Sequence, residues 1–222
     1  MLTLYNGPAF SRPESKDGRG RPPSRSRRRR LWRARVLAGR ILHTCLLLAG
    51  VAGPASAAVD CWHPRPGESR VEFIATQAGA PFKGTFTRYR GEVCLDPAQP
   101  ESGSIDITVD TASVDAGLPE FDDALRGPDF FDAARWPQAT FRSDVIEAAG
   151  EGEFRVRGHF TLRNITREVE VPFTFVRRDA GALIEGETRI QRLEYDIGLG
   201  EWRDTRWVGD TVVLKFTVAL SK

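Results

Sequence analysis

Phe154-Arg155-Val156-Arg157-Gly158-His159-Phe160-Thr161-Leu162 alternates without a break: even positions are apolar or glycine and odd positions are polar. Successive side chains of a strand point to opposite faces of a sheet, so this stretch has one dry face and one wet face. The rhythm returns in Val212-Val213-Leu214-Lys215-Phe216-Thr217-Val218-Ala219-Leu220 and, earlier, in Ser104-Ile105-Asp106-Ile107-Thr108-Val109-Asp110. Several half-wet strands in one domain imply a sheet that closes, or nearly closes, over its own dry face.

Outward from these segments, the pattern predicts strands over Arg70–Thr76, Phe82–Leu95, Ser104–Asp110, Gln138–Ala148, Glu153–Arg163, Glu168–Arg177, Leu183–Leu193 and Val208–Leu220. Residues 62–69 read as loop. The breaks carry turn chemistry: Gly79-Ala80-Pro81, Gly150 with Gly152, Asn164-Ile165-Thr166 and Asp179-Ala180-Gly181. One stretch is different. Pro119 to Gly127 has acidic residues early, Arg126 late and glycine as a stop, which predicts a short helix. Its Phe121, Ala124 and Leu125 are spaced to bury one face. The fold class is therefore all-β: an eight-stranded antiparallel up-and-down barrel with one short helical insertion between strands.

Charge is segregated along the chain. Residues 1–57 hold 12 of the 32 Lys/Arg and 2 of the 30 Asp/Glu, so the remainder is net acidic by eight. An acidic domain lacks the basic footprint that nucleic acid requires. Arg27-Arg28-Arg29-Arg30-Leu31-Trp32-Arg33 precedes the apolar run Ile41 to Ala52, and Ala55-Ser56-Ala57 follows. Basic region, short apolar region and small-residue site predict a secretory signal peptide cleaved after Ala57. Residues 1–24 have the composition of a disordered segment. The expected organisation is thus a leader over 1–57 and a barrel domain over 58–222, delivered to the periplasm.

After that cleavage only Cys61 and Cys94 remain. A hairpin turning near residues 77–79 would place them almost opposite one another, and an oxidising compartment favours their disulfide. Two free buried thiols are the alternative. No metal site is expected, because two lone cysteines offer neither CxxC spacing nor a nearby histidine pair.

Little in the chain points to catalysis. His63 lies in a proline-flanked loop and His159 on the wet face of a strand. Nucleophile-elbow, phosphate-loop and dinucleotide motifs are missing from the sequence. Asp122, Asp123, Asp129 and Asp132 cluster near Asp115 and Glu120. Such acids can work as general acid and base or hold a cation, but they also cap helices and shape turns. The segment Asp196 to Asp210, with Trp202 and Trp207, reads either as a rim over a pocket or as a long connection pinned by tryptophan packing.

Several blocks then resemble the YceI-like proteins, also called polyisoprenoid-binding or lipocalin-like proteins, over residues 69–220. They are Ser69-Arg70-Val71-Glu72-Phe73, Phe82-Lys83-Gly84-Thr85-Phe86, Gly91-Glu92-Val93 with Asp96-Pro97, and Asp123 through Asp132. Trp136-Pro137, Ala139-Thr140-Phe141-Arg142-Ser143 and Gly158 through Thr166 follow, then Asp196-Ile197-Gly198 with Val208-Gly209-Asp210. Asn164 stands where the family usually has glycine, and Asn tolerates the left-handed conformation. Asp122-Asp123 stand where many relatives carry basic or histidine residues.

The resemblance implies a lipocalin-like barrel that carries or buffers a long isoprenoid or similar amphiphile, such as a quinone tail, without catalysis and without a fixed cofactor. Candidate cavity residues are Phe82, Gly84, Phe86, Ile105, Ile107 and Phe141 from the first half. The second half adds Val156, Gly158, Phe160, Phe173, Phe175, Leu214, Phe216 and Val218. The two glycines are expected to leave room where the ligand passes, with Trp202 and Trp207 as rim candidates. The other reading is a structural barrel with a filled core that docks transiently on an inner-membrane redox protein. Oligomeric state is left open, a dimer included.

Overall fold

The computed structural model describes residues 59–222. The expected disordered segment, signal peptide and cleavage point at Ala57 lie outside the described residues.

The chain forms strands β1 (Cys61–Pro64), β2 (Arg70–Gln77), β3 (Ala80–Phe86), β4 (Tyr89–Cys94), β5 (Ser104–Asp110) and β6 (Val114–Asp115). Helix α1 (Pro119–Arg126) follows, then β7 (Gln138–Gly150), β8 (Glu153–Leu162), β9 (Ile165–Arg178), β10 (Gly181–Gln191) and β11 (Thr211–Ser221). β1 and β2 are two halves of one bent stave, as are β3 with β4 and β5 with β6. The eight staves pair antiparallel in chain order. The ring closes through the first stave: β11 runs against β2, its last residues reach β1 (His63 opposite Ser221, Pro64 opposite Leu220), and β1 pairs with β4. This is the closed eight-stranded barrel with one short helix that the alternation called for.

The bends have local causes. Pro64 and Pro66 interrupt the first stave, and a 3-10 turn over Pro66–Glu68 carries the chain across. In the third, Asp110 accepts a hydrogen bond from the Ala112 amide through its side chain, turning β5 into β6. Hairpin turns are tight. Ala78 and Gly79 (φ 48° and 80°) and Arg163 and Asn164 (φ 50° and 62°) are left-handed pairs, the two-residue turn whose twist matches flanking strands. Asn164 thus does the work of the usual glycine.

Some boundaries differ from the sequence reading. Residues 62–69 are not all loop: β1 runs into them, because Trp62 is buried and packs against Phe175, ring centroids 5.3 Å apart. β9 begins at Ile165, since the turn needs only two residues. β11 begins at Thr211, and Val208 makes a single bridge to Gln77. On α1 only Leu125 is buried; Phe121 and Ala124 stay exposed, Phe121 resting edge-on against Phe82 at 5.6 Å. What holds the helix is Arg126, which donates to the Ala112 and Val114 carbonyls at 3.0 and 2.9 Å.

Two apolar clusters form. Trp62, Leu95, Phe154, Phe175 and Leu220 seal the end where β1 meets β4. Leu125, Phe131, Leu162, Tyr195 and Ile197 gather at the other end, beneath α1 and the connection from β10 to β11.

Candidate functional site

Between the clusters the barrel is hollow. A cavity of about 250 Å³ runs inside the sheet, its wall almost wholly apolar. A single water needs roughly 10–15 Å³, so this is no packing defect.

The even-numbered face of β8 supplies Val156 and Phe160, and β11 supplies Leu214, Phe216 and Val218. Phe141 lies beside Phe160 on the neighbouring β7, Ile105 and Ile107 follow on β5, Phe173 comes from β9, and Phe82 and Phe86 lie toward the helical end. Phe216, Phe141, Ile107, Phe160, Phe82, Phe86 and Leu214 are only partly buried although they face inward, because no side chain fills the space in front of them.

Three candidates are placed otherwise. Phe175 is buried at the sealed end on Trp62 and Phe154, as filler. Neither glycine opens a passage. A Cβ on Gly84 would lie 2.6 Å from the Phe73 ring, so Gly84 makes room for Phe73. A Cβ on Gly158 would lie 2.2 Å from the Arg142 carbonyl, where the β7 ladder shifts register. Gly84→Ala is expected to destabilise by about 1–3 kcal/mol through overpacking, read by urea unfolding. A loss below about 0.5 kcal/mol, inside the ordinary range for neutral surface changes, would mean that Phe73 moves aside freely.

The tryptophans do not line the cavity. Trp202 is half-buried on Phe130 at 5.7 Å, and Trp207 is 62% exposed. The connection they occupy is pinned by Arg192, which is 2% exposed and was missed as a site residue. Its Nε donates to the Gly209 carbonyl; one Nη donates to those of Ile197 and Gly198, the other to those of Trp202 and Val208. Burial pushes its pKa down, and Asp210 offsets part of that at longer range. The signal was parity: Arg192 continues the inward even-numbered register of β10.

Three members of the carboxylate cluster are used locally. Asp122 accepts from the Ala116 amide at 2.7 Å and pairs with Arg126 at 3.5 Å; Asp123 pairs with Arg126 at 3.1 Å; Asp115 accepts from the Gly117 amide at 2.9 Å. His63 is bonded to the Gly91 carbonyl at 2.9 Å, and His159 to Asp144 at 2.9 Å on the outer face. Cys61 and Cys94 form a disulfide. Among the described residues, the one grouping of three metal-ligand types is Cys61, Glu92 and Cys94, and the disulfide leaves it no thiolate.

Comparison with known proteins follows the same geometry. The family model described as the YceI-like domain matches residues 62–220. A UPF0312 protein of Azotobacter vinelandii is 29% identical over 171 residues, covering 73% of this chain and 87% of that one. Among solved structures, Burkholderia cenocepacia BcnA is 34% identical with a TM-score of 0.69, matched over 72% of this chain and 99% of that one. A polyisoprenoid binding domain from Saccharophagus degradans, implicated in plant cell wall breakdown, shares the fold at a TM-score of 0.58 and 14% identity, over 73% and 98% of the two chains.

Proposed function

We propose that this chain, which belongs to the YceI-like family, takes up the long apolar tail of an isoprenoid or similar amphiphile into its barrel and carries or buffers it without chemical change. The observation that carries this reading is the hollow, apolar interior. Each methylene withdrawn from water contributes roughly 0.8 kcal/mol, so one five-carbon isoprene unit supplies roughly 4 kcal/mol without a polar anchor. The name of the Saccharophagus degradans domain agrees with such a tail. A structural barrel would fill this volume with side chains, so the cavity favours the carrier reading over the filled-core one.

The inward residues Ile107, Phe141, Phe160, Leu214 and Phe216 are then tail contacts. The disulfide favours an oxidising compartment, hence a periplasmic carrier. If the tail belongs to a quinone, a membrane redox protein is the natural recipient.

The test is a cavity-blocking variant. Ile107→Trp puts an indole into the hollow and is expected to weaken binding of a fluorescent polyprenyl probe at least about tenfold, equal to ~1.4 kcal/mol, while thermal stability holds. Solvent extraction of purified wild type followed by mass spectrometry should release a lipid. Equal probe uptake by wild type and Ile107→Trp, with no extractable lipid, would overturn the reading.

A further inference from the structure

The barrel wall is not hydrogen-bonded all the way round. The β9–β10 ladder runs from the Gly181–Arg178 pair to the Gly186–Phe173 pair and stops there. Residues 165–172 of β9 pair only with β8, and residues 187–191 of β10 only with β11. The boundary has a sequence cause. Pro172 has no amide hydrogen to donate, and proline sits where a ladder ends. At Gly186 a Cβ would lie 2.5 Å from the Pro172 carbonyl, so the strands touch there and then part. One side-chain bond crosses the gap: the Thr188 hydroxyl donates to the Glu170 carbonyl at 3.0 Å.

A recess occupies the gap. Val169, Thr188 and Ile190 line both the recess and the main cavity. Glu168, Glu170, Arg189 and Gln191 line it from the outer face. Tyr195, from the turn after β10, stands at its end. Tyr195 is 1% exposed, packs edge-on against Phe160 at 5.5 Å, and its hydroxyl has no hydrogen-bond partner among the described residues. The hydroxyl is not sealed off unpaired within the protein, and it can exchange hydrogen bonds with a ligand atom in the recess.

We infer that this gap is the head-group site of the cavity, and that the head it accepts is uncharged and hydrogen-bonding, a hydroxyl or ring carbonyl and not a phosphate. The inference rests on the reading that an apolar tail fills the barrel. The charge balance sets the preference. Arg167 and Arg189 face Glu168, Glu170 and Glu194 around the recess, so a phosphate would meet more carboxylate than cation. Arg189 is already paired with Glu187 at 3.4 Å. The Tyr195 phenol is pushed up to about 12, chiefly by burial and then by Glu194, with Arg167 opposing. It stays protonated, able to donate to a carbonyl or exchange hydrogen bonds with a hydroxyl.

The test uses one tail with three ends: geranylgeraniol, its diphosphate, and the corresponding head-less hydrocarbon, each displacing a fluorescent polyprenyl probe from the wild-type protein and from Tyr195→Phe. The alcohol is expected to bind wild type about tenfold tighter than the hydrocarbon, the worth of one net hydrogen bond, and the diphosphate no tighter than the hydrocarbon. Tyr195→Phe should remove most of the alcohol's advantage and leave hydrocarbon binding unchanged. If the diphosphate binds wild type tightest, or if the alcohol-to-hydrocarbon ratio survives in Tyr195→Phe, the head-group site is wrong and the tail reading stands. If none of the three binds, the tail reading falls and takes the head-group site with it. The wild-type ranking alone decides the charge preference, so the result does not hang on the variant folding.

Discussion

Removing the disulfide, as Cys61→Ala with Cys94→Ala, is expected to lower the free energy of unfolding by roughly 4 kcal/mol, the chain-entropy value for the 33-residue separation it closes. In a domain of this length that is a fall in Tm of roughly 8–16 °C. The position explains why little else compensates. β1 has four residues and two paired positions on each side, to β4 and to β11. Without the covalent link, ring closure at the sealed end rests on those few pairs and on Trp62. Urea unfolding of the double variant and of reduced wild type should give the same loss, since reduction removes the link and keeps both sulfurs. A loss below about 1 kcal/mol in both, a quarter of the chain-entropy value, would mean that the bond holds nothing the ladder does not already hold. A large loss in the variant alone would assign the effect to side-chain packing.

The disulfide was readable because it follows from strand register, and register follows from period-2 alternation. The same logic gave the barrel, its hairpin turns and part of the cavity wall: Val156 and Phe160 on β8, and Leu214, Phe216 and Val218 on β11, share one parity and one face. What escaped depends on contacts between distant positions. Gly84 and Gly158 look like gaps in an apolar face, yet each is required by a neighbour across the sheet, the Phe73 ring and the Arg142 carbonyl. Phe175 has the right parity and the wrong height along the barrel. Pro172 sits inside a run that otherwise reads as one strand, and the rule confining proline to strand edges would have marked the parted seam. Phe121 and Ala124 have helical core spacing, but a two-turn helix tied down by Arg126 has little surface to bury.

Arg192→Met is expected to destabilise the domain by roughly 5 kcal/mol, because it strips five charge-assisted donors from carbonyls with no replacement partner. All five N–H groups of the guanidinium are in use, on acceptors from Ile197 to Gly209. Gly198 is shaped to this: its φ is 67°, and a Cβ there would lie 2.5 Å from a guanidinium nitrogen. Arg192→Lys keeps the charge but offers three donors from one point, so it should recover less than half of the loss. Hydrogen exchange separates a local role from a global one. Amides of residues 196–210 should lose protection in Arg192→Lys before those of β7 and β8 do. Wild-type stability and protection in Arg192→Lys would show that any cation suffices. The saturation of this guanidinium also bears on the ligand. Arg192 borders the cavity, yet an anionic head could reach it only by breaking bonds that hold the connection between β10 and β11. A buried arginine in a binding cavity would ordinarily suggest an acidic ligand; here the protein's own carbonyls have already taken that role.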